Sequence, residues 1–319
     1  MSINTVSKDA PRLDPAKFHN PAITADGSTR ASVALKGVET LWFNTGTLCN
    51  LKCVHCYIES SPTNDRLAYI TTEEVQCFLE EIYRDGWSTR EIGFTGGEPF
   101  MNPEIIDSIE VSLSRGFKVL VLTNAMRPMM KLQDDLLRLN ETYGQQMKIR
   151  VSLDHYMPAL HELERGKHAW ARTLPGLQWL SKHKFHINVA GRSLSAEPED
   201  AMRDGYAKLF AAEGINVNAD DHSELILFPE MDEFMDVPEI TAACWDILGV
   251  NPDDVMCATS RMVVKRKGAK RPVVLSCTLL PYDERFEMGE SLSEATSAVS
   301  LNHPHCAKFC VLGGSSCSA

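Results

Sequence analysis

The chain has 319 residues, 44% of them hydrophobic and 24% charged, with a formal charge of −11. That length suits one large core with a small appendage, and no apolar run reaches the ~18 residues that a membrane span needs. The acidic balance argues against nucleic acid as the main partner, because phosphate contacts need a basic footprint. The start, MSINTVSKDAPRLDP, lacks the apolar stretch of a signal peptide, which predicts a cytoplasmic protein. In that reducing compartment ten cysteines are expected to bind metal or serve catalysis rather than form disulfides.

Residues 1–38 carry no helical period and read as an arm, with a short hairpin about Asp26 and Gly27. From Glu39 strands and helices alternate. ETLWFNTG is the first strand candidate, and Thr71 with Glu74 forms a capping box for a helix with Val75, Phe78, Leu79 and Ile82 on one face and Gly86 as its stop. EIGFTGG is the second strand; Asn102 and Pro103 open a helix with the stripe Ile105, Ile106, Ile109 and Leu113. KVLVLTN, KIRVSLD, HINVAGRSL and INVNADD are the remaining strands, with helices near 169–183 and 199–213. About six β-α units with apolar strands predict a parallel sheet covered by helices, an incomplete (β/α)6 TIM-like barrel over 39–235 in an α/β fold. Its ligands belong at the C-terminal strand ends. Residues 236–319 read as a small cysteine-rich α+β appendage. The basic run VVKRKGAKRP, 263–272, is either a solvated hairpin tip about Gly268 or a grip on an acidic partner. Cys77 in the first helix and Cys244 in the apolar segment AACWDIL read as buried structural thiols.

LCNLKCVHCYIES, residues 48–60, sets Cys49, Cys53 and Cys56 in a C-x3-C-x2-C spacing after the first strand. Tetrahedral zinc wants a fourth ligand, whereas a cubane iron–sulfur cluster takes one thiolate per iron, so that three cysteines leave one iron open. A second motif, FTGGEP at 94–99, ends the second strand; Gly96 and Gly97 allow close backbone approach, Glu98 can anchor an ammonium, and Pro99 completes it.

With these two motifs on successive strand ends the chain resembles the radical S-adenosylmethionine (SAM) superfamily over residues 39–230. His55 stands where the family usually has an aromatic, and Tyr57 follows the last cysteine. The resemblance implies a [4Fe–4S] cluster on Cys49, Cys53 and Cys56 whose open iron chelates SAM, a 5′-deoxyadenosyl radical, and an electron donor such as flavodoxin or ferredoxin. It carries Ser152 and Asp154 in VSLD over to the ribose and reacting region, and alternation puts both on one strand face. Either Arg165 in HELERG or Arg192 is then the partner of the SAM carboxylate, and Thr123 and Asn124 face the nucleoside. Asp154, His155 and, after the last strand, Asp220, Asp221 and His222 are the candidate proton acceptors.

Cys257 and Cys277 bracket a hairpin-like segment, and Cys306 and Cys310 follow at C-x3-C, which resembles the twitch or SPASM appendage of such enzymes. It implies an auxiliary [4Fe–4S] cluster on these four, with Cys317 as a substitute ligand, zinc on the same thiolates being the other reading. The implied reaction is hydrogen abstraction followed by net oxidation or cross-linking, the auxiliary cluster accepting the electron. About 38 residues before the first strand leave no room for the peptide-binding domain many peptide-modifying members carry. The expected substrate is therefore a small molecule, or a peptide delivered by a separate protein. A non-catalytic zinc or iron–sulfur protein is the reading of another class, and it would not require the GGEP motif.

Overall fold

The computed structural model describes residues 11–193, 197–229 and 233–315. A short arm strand, β1 (Ser32–Val33), precedes six parallel strands: β2 (Thr40–Asn44), β3 (Glu91–Thr95), β4 (Lys118–Thr123), β5 (Met147–Ser152), β6 (His186–Ser193) and β7 (Leu225–Pro229). Each of the six pairs with the next in chain order. Between them lie α1 (Thr72–Asp85), α2 (Ile105–Ser114), α3 (Arg127–Met130), α4 (Gln133–Tyr143), α5 (Pro158–Arg165), α6 (Ala169–Lys182) and α7 (Glu199–Glu213). The architecture is the expected α/β partial barrel.

Strand alternation divides the sheet into two faces. Leu41, Phe43, Ile92, Phe94, Val119, Val121, Ile149 and Val151 pack outward under the helices, while Trp42, Leu122, Arg150, Ser152, Ala190 and Arg192 line the interior. Helix α1 shows how the sequence fixes its elements. Thr71 and Glu74 close a reciprocal capping box, Gly86 ends the helix at φ 69°, and Val75, Phe78, Leu79 and Ile82 are buried. Each such apolar side chain contributes roughly 1.5–3 kcal/mol on burial. Cys77 falls off that stripe and is exposed, contrary to the expected buried thiol.

Two element boundaries differ from the sequence reading. The helix after the glycine motif begins at Ile105, because the Asn102 side chain donates to Ile70 O (2.8 Å) and accepts from Glu104 N (2.9 Å), forming a turn first. INVNADD is not a strand. Ile215, Val217 and Ala219 are buried in the core without ladder partners among the described residues, and the sixth parallel strand is Leu225–Pro229.

After β7 and the short helix α8 (Cys244–Leu248) the chain reaches the opposite edge of the barrel sheet. There β8 (Ser260–Val264) pairs in parallel with β2, β9 (Val273–Leu275) pairs antiparallel with β8, and β10 (Glu287–Gly289) with β9. The hairpin is thus an extension of the barrel sheet. Four of the five basic side chains at its tip pair within the molecule, as Lys265–Glu74, Arg266–Glu287, Lys267–Asp65 and Arg271–Glu290.

The arm does form a turn about Gly27 (φ 86°), where Ile23 bridges Thr29. Strand β1 pairs with β11 (Val299–Ser300), and Phe18, Ala31 and Val33 join Val237, Ile240, Leu279, Leu301 and Phe309 in a second apolar core.

Candidate functional site

The loop after β2 lies across the end of β3, and the two glycines make that possible. Gly97 N donates to Gly46 O (2.8 Å) and Glu98 N to Leu48 O (3.2 Å). A Cβ on Gly97 would sit 2.1 Å from Leu48 O, and one on Gly96, at φ 131°, would sit 2.6 Å from Gly46 O. The close approach they permit is therefore to the cysteine loop's own backbone.

Cys49, Cys53 and Cys56 line one pocket at the strand ends, together with Gly96, Gly97, Asn124, Ser152, Asp154, Arg165 and Arg192. Leu51 N donates to Cys49 Sγ at 3.4 Å and Ser60 N to Cys56 Sγ at 3.3 Å. Burial pushes the Cys49 thiol up to about 12, with Glu98 and the other two cysteines adding to it; Cys53 rises to about 11 by burial, opposed by Arg165. Such thiols ionise when a metal supplies the missing positive charge. Three thiols line this pocket with N–H donors aimed at two of the sulfurs, the donor chemistry an iron–sulfur cluster takes, although among the described residues no three such groups already stand together at metal-binding distance.

Glu98 is held within the scaffold. Its carboxylate accepts from Thr123 Oγ1 (2.8 Å), Asn124 N (2.9 Å) and Phe100 N (3.3 Å), tying the ends of β3 and β4 together. Burial pushes its pKa up to about 7 against those donors. Pro99 begins the short 3-10 turn that follows. Asn124 faces the pocket and donates to Asn50 Oδ1 at 2.9 Å.

Asp154 and Arg165 form a two-armed pair, Nε to Oδ2 at 2.5 Å and Nη2 to Oδ1 at 3.0 Å. Burial works against the Arg165 charge, but Asp154 and Cys53 raise its pKa. Arg192 Nη1 donates to Glu164 Oε1 at 2.8 Å and to His55 O at 3.1 Å. Each arginine offered as a carboxylate partner thus already meets a carboxylate of the chain.

Glu164, only 3% exposed, is the residue that sequence reasoning missed. It accepts from His55 N and from His55 Nδ1, both at 2.8 Å, as well as from Arg192, and its own carbonyl accepts from Val54 N at 2.9 Å. Both residues between Cys53 and Cys56 are therefore fastened to α5. The unusual His55 was the available signal, since a histidine there calls for a partner that an aromatic would not.

The other candidate bases are not brought to the pocket. His155 is buried with Nδ1 accepting from Met157 N (3.0 Å) and Nε2 3.4 Å from Glu197, and burial lowers its pKa. Asp220, Asp221 and His222 precede β7 instead of following the last strand, so they sit at the strand entry, opposite the pocket. All three are exposed; Asp221 accepts from Ser223, and His222 contacts Arg203 and Glu199.

The second cysteine group lies against the same pocket. Cys257 precedes β8 and Cys277 follows β9, at one end of the hairpin, while Cys306 and Cys310 sit on a π-helical turn, Cys306–Val311. The wider π turn suits the C-x3-C spacing, and such turns concentrate at functional sites. Burial pushes Cys306 well above the usual thiol range, and Cys277 and Cys257 add to it; Cys257 rises to about 11 by burial, opposed by Arg261. Leu279 N donates to Cys277 Sγ at 3.4 Å. Thr278 and Leu279 line the pocket of the first group. Tyr57, next to Cys56, meets His305 and Phe309 edge-on at 6.4 Å, and Phe228 stacks on Phe309 at 5.4 Å. Cys244 is half-buried and accepts from Thr241 N at 3.3 Å. Cys317 lies outside the described residues.

Residues 43–200 match the family model of the Radical SAM superfamily. The chain is similar to the antilisterial bacteriocin subtilosin biosynthesis protein AlbA of Bacillus subtilis (strain 168), at 32% identity over 169 residues, 53% of this chain and 35% of that protein. It is also similar to the AdoMet-dependent heme synthase of Methanosarcina barkeri (strain Fusaro / DSM 804), at 28% over 142 residues, 44% of this chain and 38% of that one. The matches thus span little more than a third of these relatives. Among solved structures, Streptococcus suis SuiB bound to precursor peptide SuiA superposes with a TM-score of 0.59 at 11% identity, covering 83% of this chain and 66% of that one. anSMEcpe with bound AdoMet gives 0.57 at 14%, covering 80% and 76%. At these identities the likeness is one of fold.

Proposed function

The chain carries a radical SAM domain, which uses a [4Fe–4S] cluster and SAM, and on that premise we propose that it oxidises or cross-links a peptide with the help of a second cluster. The observation that carries this reading is the shared wall: Thr278 and Leu279, directly after Cys277, line the pocket that Cys49, Cys53 and Cys56 open into. A group oxidised in that pocket lies beside both cysteine sets. Peptide is the substrate class because AlbA is named for the biosynthesis of a bacteriocin and SuiB holds a precursor peptide.

When bound, the first cluster with SAM supplies a 5′-deoxyadenosyl radical that takes a hydrogen atom, and the second supplies an acceptor for the remaining electron. Cys49, Cys53 and Cys56 would hold the first; Cys257, Cys277, Cys306 and Cys310 would hold the second. Glu164 and Arg192 fix the loop that carries the first set. Glu98 locks the ends of β3 and β4, so that Gly96, Gly97 and Asn124 present a rigid wall to SAM. Ser152, which lines the same pocket, would contact its nucleoside. Asp154 holds the Arg165 guanidinium beside Cys53, which favours the thiolate there. An external one-electron donor such as flavodoxin or ferredoxin starts each turnover. Among the described residues no helix is long and apolar enough to cross a membrane, and we place the protein in the reducing cytoplasm.

The test is iron and sulfide content after anaerobic reconstitution. The parent should hold about eight irons, and replacing Cys49, Cys53 and Cys56 by alanine, or Cys257, Cys277, Cys306 and Cys310 by alanine, should each leave about four. Zinc without iron would sink the reading.

A further inference from the structure

Arg261, the second residue of β8, is fully buried. Its Nε donates to Ala295 O at 2.9 Å, and its Nη1 donates to Cys257 O at 2.7 Å and Ser260 O at 2.8 Å. All three acceptors are neutral carbonyls. Nη2 is buried without a hydrogen-bond partner among the described residues. Three other buried arginines are treated differently: Arg30 meets Glu239, Arg192 meets Glu164 and Arg203 meets Glu199. Burying a guanidinium without an anion costs several kcal/mol, so a chain that keeps one has an anion for it to face.

The ionisable group that acts on Arg261 is the Cys257 thiol. Cys257 also couples to Cys306, which couples in turn to Cys277. Four thiolates outweigh the charge of an iron–sulfur core and leave the centre anionic, and net charge and hydrogen bonds to the sulfurs set the potential of such a centre. The guanidinium grips the backbone of Cys257 and keeps one buried donor unspent.

We propose that Arg261 is the counter-cation and positioning residue of the auxiliary metal–thiolate centre, fixing Cys257 through its carbonyl and raising the potential at which that centre accepts an electron. The inference rests on the reading of Cys257, Cys277, Cys306 and Cys310 as cluster ligands.

The experiment uses the full chain with Cys49, Cys53 and Cys56 replaced by alanine, so that only the auxiliary centre remains, titrated electrochemically with detection by electron paramagnetic resonance. In that background Arg261→Gln should keep about four irons while its reduction constant falls at least tenfold, a negative shift of 59 mV for one electron. Arg261→Lys, which keeps the charge, should shift less. If Arg261→Gln does not fold, arginine labelled with 15N at the guanidinium supplies a second readout. The reduced centre should show a weak 15N coupling that disappears in Arg261→Lys. Iron retained with an unmoved potential, or no coupling that depends on Arg261, overturns the role of Arg261 and leaves the cluster standing. No iron in the triple-alanine background overturns the cluster reading itself and this inference with it.

Discussion

Replacing Glu164 by alanine isolates the tie between α5 and the cysteine loop. The substitution removes the acceptor of His55 N, His55 Nδ1 and Arg192 Nη1, and leaves the Arg192 guanidinium buried with less counter-charge. Removing one partner of a buried ion pair costs about 3–5 kcal/mol. The three hydrogen bonds to the carboxylate, at roughly 1.5–3 kcal/mol each, would sum to about 4.5–9 kcal/mol if independent, and because they share one group the lower figure is the one to use. At about 2 °C per kcal/mol for a chain of this size, the melting temperature should fall by about 6–10 °C. Glu164→Gln keeps an amide oxygen and the volume, and should lose about half as much. The local effect is the sharper one. Val54 and His55 lie between two of the three thiols, so iron should drop from about eight to about four per chain. Anaerobic calorimetry beside iron analysis makes the measurement, with Glu141→Ala on the exposed face of α4 as a control expected within about 0.5 kcal/mol. The Glu164→Ala, Arg192→Ala double variant should lose less than the two single losses combined, because the pair is coupled. A Glu164→Ala protein that melts within about 1 °C of the parent and binds iron fully refutes the assigned tie.

The two kinds of glycine make a second test. Gly97→Ala drives a Cβ to 2.1 Å from the Leu48 carbonyl, a backbone group that cannot step aside, and should abolish iron at the first set. Gly86→Ala has open space about it but φ +69°, and should cost only about 1–2 kcal/mol with iron unchanged; equal iron content in both variants would refute the distinction. A third test is pH dependence. His161 is buried against Trp170 with Nδ1 accepting from Asp154 N (3.2 Å), and burial, with Arg165 adding, lowers its pKa to about 4. Its unfolded form binds a proton at about 6.5, so the unfolded chain holds more protons between the two values. The stability it contributes is complete above about 6.5 and is lost as pH falls towards 4, about 3 kcal/mol in all. His161→Gln should flatten urea-derived stability between pH 7.5 and 5 relative to the parent, and an unchanged slope would refute the assignment.

What could be read from the sequence was the chemistry held in short spacings. Cys49, Cys53 and Cys56 share one loop, and Gly96 and Gly97 announce a close approach whichever backbone makes it. Glu164 acts across 109 residues, and nothing near it in sequence says that His55 will be its partner. The sixth strand was misplaced for a physical reason. INVNADD alternates as a half-exposed strand does, but a strand of a parallel sheet covered on both faces reads as a continuous apolar run, and LILFP is that run. Alternation in INVNADD reflects burial of Ile215, Val217 and Ala219 in a loop, not a ladder. That single displacement moved three of the candidate bases, Asp220, Asp221 and His222, from the far side of β7 to the near side. The same limit explains the hairpin. Its turn and its flanking cysteines were legible, but its parallel pairing with β2 joins residues more than two hundred positions apart. No local propensity encodes such a pair; the unpaired edge of an incomplete barrel does, because its N–H and C=O groups need partners. Satisfying that edge with β8 also carries Cys257 and Cys277 to the barrel, so the need to cover the sheet and the need to hold a second cysteine set beside the pocket are met by one strand.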